Sequence, residues 1–186
     1  PAKIVVVHYG SPSAEFRPAT EAETAARAGE PPYFLFVGVT GPSKNARLLA
    51  AAFCALKARR PELPHRLLLA GPHGPDRPWM EERFAEAGLG AQADFLGPVP
   101  TTKIHELYRR AFACILPSPG EGFALPAVEA MASGTPVVAV DAGALPEVVG
   151  DAGLLVPSEP ESMAAAMARL AVEPDLRAEL VGKGFL

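Results

Sequence analysis

Apolar residues occur along the chain in short runs without polar alternation, and each run ends near glycine or proline. Such runs are typical of strands that are buried on both faces of a sheet. The pattern therefore predicts the following strands: KIVVV, YFLFVG, RLLLAG, DFLGPV, CILPS, PVVAV and LLVPS.

Between these runs, apolar residues recur with helical spacing. The clearest case is NARLLAAAFCALKARR, where one face combines Leu48, Leu49, Ala52, Phe53 and Leu56. Further helices are predicted near 79–88, 102–112, 125–133, 161–172 and 175–183. Because strand and helix alternate after YFLFVG begins, the sequence predicts an α/β fold, a Rossmann-like parallel sheet of about six strands with helices on both faces.

The first 32 residues differ from the rest. KIVVVHYG is strand-like, whereas SPSAEFRPATEAETAARAGEPP is rich in Pro, Ala and Glu and has no sustained apolar period, as in a linker. We therefore predict a strand and linker over 1–32 and a domain over 33–186. The chain starts at Pro1 without a methionine and stops at Leu186 within a helical pattern, so we expect it to be a piece of a longer protein.

Composition narrows the possible functions. Apolar residues make up 49% of the chain and charged residues 20%, as in globular proteins. The net charge of −4 argues against a nucleic-acid partner, which requires a concentrated basic surface. No apolar run approaches the roughly 18 residues that indicate a transmembrane segment. Cys54 and Cys114 lie far apart in apolar contexts, so we expect free thiols and a reducing compartment.

Metal and cofactor motifs are not found in the sequence. The histidines His8, His65, His73 and His105 have no ligand spacing to one another or to a cysteine, and there is no D-x-D pair. We therefore predict no metal site. The segment GVTGPSK lacks the G-x-G-x-x-G pattern, no acidic residue ends the second strand of the predicted domain, and no P-loop occurs. A dinucleotide oxidoreductase is disfavoured, and no cofactor is predicted.

The stretch 121–138, EGFALPAVEAMASGTPVV, carries two glutamates eight positions apart. It follows the strand CILP, and a helix is predicted from about Leu125, with Pro126 in its first turn, where a missing N–H costs nothing. Residues 121–124 thus lead into a helix at the carboxyl end of a parallel strand, where open α/β sheets bind ligands. Free N–H groups there favour a phosphate. The carboxylate of Glu129 can accept hydrogen bonds from paired sugar hydroxyls, so the layout suits a nucleotide sugar.

A simpler interpretation is that Glu129 only complements the helix dipole, worth roughly 0.3–1 kcal/mol, and that Glu121 is solvated. The whole pattern favours the ligand site, because the stretch matches nearly every fixed position of E-G-F-G-L-P-x-x-E-A-M-A-x-G-x-P-V-V. In this it resembles the retaining glycosyltransferases of the GT-B fold, family 4 of glycosyl transferases group 1. That group includes bacterial mannosyl- and glucosyltransferases and sucrose synthases.

The resemblance covers about 33–172 through the segments FVGVTGPSKN, LLLAGP, FLGPVP, LYRRAFACILPS and GALPEVVGDAGLLVP. They follow the order found in the carboxyl-terminal, nucleotide-sugar-binding half of these enzymes. The resemblance implies that 33–186 is this donor-binding domain, that 1–32 is an interdomain segment, and that His8 and Tyr9 lie at a hinge.

The resemblance also implies roles for individual residues. In the family, the first glutamate of the signature contacts the donor sugar and the second binds the ribose hydroxyls, roles that fall here to Glu121 and Glu129. The sugar and diphosphate would face the backbone amides of the turn between the two glutamates: Gly122, Phe123, Ala124 and Leu125.

Two further loops contribute to the implied site. Relatives place a lysine against the diphosphate in the loop after the first strand of the domain, which here contains Gly38 and Lys44. The backbone at Val99 corresponds to the segment that reads the nucleotide base, and we prefer uridine over guanosine. The implied catalytic residues are Glu121 and Lys44.

The chain departs from the family pattern at two positions. Ala124 replaces the more usual glycine, so the backbone has less freedom there. Val39 stands where relatives commonly carry an arginine shortly before the lysine, so a second cation is missing. Arg47 and Lys103 are candidates to replace it.

The resemblance implies the donor-binding domain of a retaining enzyme that transfers a hexose from a nucleotide diphosphate sugar. The acceptor, a sugar or a lipid-linked molecule, would be held by an amino-terminal domain, so the isolated chain is expected to bind donor weakly but not to transfer sugar. We expect a cytoplasmic protein in polysaccharide biosynthesis, with peripheral attachment to the inner face of the membrane as an option. The alternatives are a non-catalytic relative that acts as a sugar-nucleotide-binding or scaffold module, and a sugar-nucleotide epimerase or phosphorylase.

Overall fold

Six of the seven apolar runs form one parallel sheet in the computed structural model, which describes residues 12–26 and 28–185. Neighbouring strands pair in parallel throughout, in the order β3-β2-β1-β4-β5-β6. The strands are β1 (Tyr33–Val37), β2 (Arg66–Ala70), β3 (Ala93–Gly97), β4 (Ala113–Leu116), β5 (Val137–Val140) and β6 (Gly153–Val156).

Helices alternate with these strands. Short 3₁₀ turns at Pro42–Lys44 and Gly90–Gln92 precede α2 and β3. The described α-helices are α1 (Glu21–Ala25), α2 (Ala46–Arg59), α3 (Arg77–Glu86), α4 (Thr101–Arg110), α5 (Leu125–Ala132), α6 (Leu145–Val149), α7 (Pro160–Val172) and α8 (Pro174–Lys183). The sequence did not predict α1 and α6, because five residues are too few to show a helical period. The predicted strand KIVVV and the hinge residues His8 and Tyr9 lie outside the described residues.

Both faces of the sheet are buried. On β1, Phe34 and Phe36 belong to the apolar cluster that includes α2, α3 and α7. Leu35, which points to the opposite face, belongs to the cluster that includes α4, α5 and α6. Burial on both faces explains why the strand sequences lack polar alternation. The predicted α/β fold, a Rossmann-like parallel sheet of six strands, is confirmed.

The segment before the sheet packs on α4. The ring of Phe16 meets His105 edge-on at a centroid distance of 4.4 Å and Tyr108 at 5.9 Å. Thr20 begins α1 with a capping box, because its side chain accepts from the amide of Glu23 while the Glu23 carboxylate accepts from the amide of Thr20. The domain boundary at residue 32 stays a prediction. None of the helices in the described ranges has both the length and the apolar character needed to cross a membrane.

Candidate functional site

The strand order reverses between β1 and β4. From β1 the chain builds outward through β2 to β3 and then crosses back to place β4 on the other side of β1, where Leu35 pairs with Cys114. In open α/β sheets, the carboxyl ends of the two strands at such a switch point are the usual ligand site. The loops that leave β1 and β4 carry Lys44 and Glu121.

Lys44 and Glu121 are in direct contact, although they lie 77 residues apart in the sequence. The Lys44 ammonium group donates to both carboxylate oxygens of Glu121, with Nζ at 2.7 Å from Oε1 and 2.9 Å from Oε2. The Lys44 side chain is 28% exposed and that of Glu121 12%. This partly buried ion pair joins the two loops across the switch point.

Gly38 lies against the backbone of Gly71 at the start of the loop that carries Lys44. Its N–H donates to the carbonyl of Ala70 at 2.9 Å, and is therefore already used by the sheet. A side chain at Gly71 would place its Cβ 2.4 Å from the carbonyl oxygen of Gly38. The loops after β1 and β2 thus lie backbone to backbone, and this close approach fixes the start of the loop that carries Lys44.

The turn between Glu121 and α5 is tight and has no side-chain cap. Ala124 begins the helix with φ 65° and ψ 51°, in the left-handed region, and is buried. No side chain in the described part of the chain caps this end of α5. Gly122 and Leu125 are exposed and Phe123 is half-buried. Pro126 has no N–H, and the amide of Ala127 donates to the carbonyl of Ala124 at 2.9 Å, so an anion at this end of α5 would have to bind the amides that precede Pro126 in the turn.

A third loop supports this turn. The amide of Ala144 donates to the carbonyl of Glu121 at 3.1 Å. Gly143 has φ 60°, and a Cβ there would lie 2.8 Å from the backbone nitrogen of Glu121. The loop after β5 therefore needs glycine at this position. The segment GALPEVVG was noted in the sequence as a landmark, but this packing role was not predicted.

The carboxylate of Glu129 is held by a residue that the sequence analysis missed. Glu129 lies in the second turn of α5 and is half-buried, and its Oε2 accepts a hydrogen bond from the hydroxyl of Tyr108 on α4 at 2.9 Å. The ring of Tyr108 is fully buried. Burial, together with the nearby Cys114 and Glu129, raises the pKa of Tyr108 well above its usual value.

The two residues considered as replacements for the missing arginine are both in other ion pairs. Arg47 donates through Nε to Oδ1 of the buried Asp76 at 2.7 Å, and its guanidinium lies 5.1 Å from the centre of the Trp79 ring. Lys103 bonds to Glu106, three residues further along α4, at 2.9 Å. Neither contact involves Lys44 or Glu121.

The remaining predicted residue lies further along the same edge. Val99 is in the loop after β3, the outermost strand on that side, and packs on the apolar cluster beneath α4 and α5. Two strands, β2 and β1, separate β3 from the switch point. The structure thus joins Lys44 to Glu121 directly, and the role of Val99 stays a prediction.

Six parallel strands, a charged switch point and an uncapped helix after β4 agree with the half of a GT-B fold that the sequence predicts. The family model described as "Glycosyl transferases group 1" matches residues 31–173, and the chain belongs to this family. A D-inositol 3-phosphate glycosyltransferase from Acidothermus cellulolyticus is 37% identical over 193 residues, which cover 97% of this chain and 43% of that protein. The chain therefore spans less than half the length of this curated relative.

Solved structures agree with this assignment. Sucrose-phosphate synthase from Thermosynechococcus elongatus superimposes with a TM-score of 0.77 at 31% identity, over 91% of this chain and 44% of that one. The carboxyl-terminal domain of LpcC, a glycosyl transferase group 1 family protein from Francisella tularensis, gives a TM-score of 0.78 at 28% identity and covers 91% of this chain and 92% of that one. This chain therefore corresponds in extent and fold to that carboxyl-terminal domain.

Proposed function

We propose that this domain binds the nucleotide diphosphate sugar of a retaining hexosyltransferase at the switch point between β1 and β4. The observation that carries the proposal is the contact of Lys44 with Glu121 beside the uncapped start of α5. It combines a cation and free amides for a diphosphate with a carboxylate for sugar hydroxyls. A UDP-sugar is our first choice over a GDP-sugar, and a second domain would hold a sugar or lipid-linked acceptor. We also propose that the protein is cytoplasmic.

Without donor, Lys44 and Glu121 satisfy each other. A bound diphosphate would compete with the Glu121 carboxylate for the ammonium group and would also accept from the amides at the start of α5. Glu121 would then turn to the hydroxyls of the sugar. When the sugar leaves, charge develops on the diphosphate, and a fixed cation and helix terminus stabilise such charge more in the transition state than in the ground state.

The test is calorimetric titration of the chain with UDP-, GDP- and ADP-hexoses. Substituting Lys44→Ala should weaken binding of the preferred donor about 10- to 100-fold, because a hydrogen bond to a charged group contributes roughly 1.5–3 kcal/mol. Lys183→Ala is the matched control, since it removes the same charge from a lysine that pairs with Asp151 and Glu179. Equal donor affinity of the Lys44 variant and the control would contradict the proposal.

A non-catalytic relative is the second candidate, and one observation favours it. Val39 occupies the position of the usual arginine, and Arg47 is held by Asp76, so a second cation at the diphosphate would have to come from elsewhere. The longer protein that we expect should be assayed for transfer with and without Glu121→Ala. Transfer that this substitution abolishes excludes the non-catalytic role, whereas donor binding without transfer supports it.

A further inference from the structure

The contact between Tyr108 and Glu129 links two helices that otherwise belong to different βα units. Tyr108 lies in the last turn of α4, before β4, and Glu129 lies on α5, after β4. The phenol oxygen is 2.9 Å from Oε2 of the carboxylate. Tyr108 is the one side chain in the described ranges that hydrogen-bonds to this carboxylate.

Tyr108 is fixed at both its backbone and its ring. Its carbonyl accepts from the hydroxyl of Thr135 at 2.5 Å and from the amide of Ala111 at 3.0 Å. Its ring is fully buried, with the edge of Phe16 at a centroid distance of 5.9 Å. A side chain held in this way cannot follow a moving carboxylate. The carboxylate of Glu129 must instead adopt the position that the phenol sets.

The chemistry of the pair allows one direction of bonding. Burial raises the pKa of Tyr108, so the phenol remains a donor at any working pH. An ionised carboxylate has about four acceptor positions on its two oxygens, and the phenol occupies one. The others can accept from two neighbouring hydroxyls, which is what a ribose presents.

We propose that Tyr108 is a positioning residue that orients the Glu129 carboxylate to accept hydrogen bonds from the ribose diol of the donor. The inference rests on the proposed function, since it assigns the ribose to Glu129. Tyr108 itself touches no substrate. Its effect should therefore appear only with nucleotides that carry both ribose hydroxyls.

The experiment compares the affinity of the chain for UDP and for 2′,3′-dideoxy-UDP, which lacks both ribose hydroxyls, or for the corresponding pair of whichever base binds best. The unsubstituted chain should prefer the ribonucleotide by about 10-fold or more, the value of one hydrogen bond to a charged group. Tyr108→Phe should reduce this preference at least about threefold and leave the affinity for the dideoxynucleotide unchanged. Glu129→Ala should abolish the preference, and adding Tyr108→Phe to it should change nothing further, as expected for coupled residues.

Tyr33→Phe is the matched control. Its hydroxyl donates to the carbonyl of Leu107 at 2.8 Å, so the substitution removes a phenol hydrogen bond to the same helix without involving Glu129. The ribose preference should survive this change. Thermal melting checks that each variant folds. Should Tyr108→Phe melt too early to titrate at room temperature, the same titration is carried out in the cold, and the preference should fall in the same way.

The possible failures are distinguishable. If the unsubstituted chain binds no nucleotide diphosphate or its sugar, the proposed function fails and the inference fails with it. If the unsubstituted chain binds with a ribose preference that Tyr108→Phe leaves intact, only the positioning role is overturned. Equal weakening of both nucleotides by Tyr108→Phe would also overturn it, because that result indicates a purely structural residue.

Discussion

Single residues decide whether the turn before α5 can form. Ala124 adopts a left-handed conformation with φ 65°, which costs an L-residue roughly 1–2 kcal/mol. Its methyl group is buried, and alanine is the smallest side chain that can be placed there. The resemblance implied that relatives usually carry glycine here, and the left-handed conformation is a physical reason for such a preference.

This conformation leads to a prediction for stability. Ala124→Gly should change the free energy of unfolding by less than about 1 kcal/mol, since relief of the strained φ offsets the loss of a buried methyl and the greater freedom of the unfolded chain. Ala124→Val should destabilise by about 2 kcal/mol or more, because a β-branched residue fits this region poorly. Ala127→Gly, within α5, is the control and should cost about 1 kcal/mol or more. Urea unfolding measures all three, and equal losses for the two glycine variants would contradict the interpretation.

At the level of elements, the amino-terminal ends of the central strands meet at a buried histidine. His65 directly precedes β2 and is 4% exposed. Its ring stacks on Phe34 at a centroid distance of 5.0 Å and meets Phe112 edge-on at 4.3 Å. Neither ring nitrogen has a hydrogen-bond partner among the described residues. Burial, with smaller contributions from Lys57 and Arg177, lowers the pKa of His65 from 6.5 to about 4.

The lowered pKa of His65 predicts a loss of stability in acid. Between pH 6.5 and about 4 the unfolded chain binds the proton and the folded chain does not, so the free energy of unfolding should fall as the pH decreases through this window. The total loss should be about 3 kcal/mol. His65→Phe removes the titrating group. Between pH 7 and pH 4, the free energy of unfolding of this variant should therefore fall by about 3 kcal/mol less than that of the parent chain. Denaturation at a series of pH values checks this, and parallel profiles for the two chains would disprove it.

Elements also show what sequence can and cannot predict. Each predicted helix was found with its ends shifted by no more than about two residues, a normal uncertainty for helix boundaries. Contacts between elements were harder to predict. LYRRAF was recognised as a landmark, but the bond from Tyr108 to Glu129 depends on how α4 packs against α5. Likewise, the loop after β5 supports Glu121 through a close backbone approach at Gly143. The glycine itself is the only sign of this approach in the sequence.

At the scale of the whole molecule, the candidate site is open. Leu125, at the start of α5, is 52% exposed, and Gly122 is exposed as well. Lys44 keeps 28% of its side chain accessible. Water at such a site weakens the electrostatic stabilisation of a leaving diphosphate and competes with an acceptor for the sugar. A second surface that closes over the sheet edge would exclude this water and present the acceptor.

The chain by itself should therefore bind donor without transferring sugar. The chain should be incubated with the preferred nucleotide hexose and a panel of sugar and lipid-linked acceptors. It should release nucleotide diphosphate no faster than the Glu121→Ala variant does, while calorimetry on the same sample shows that it binds the donor. The longer protein that we expect should release it and form product under the same conditions. The chain spans 43% of the length of the Acidothermus relative, and the remainder of that relative is long enough to supply such a surface. Turnover by the chain alone that Glu121→Ala abolishes would show that one domain is sufficient for the reaction.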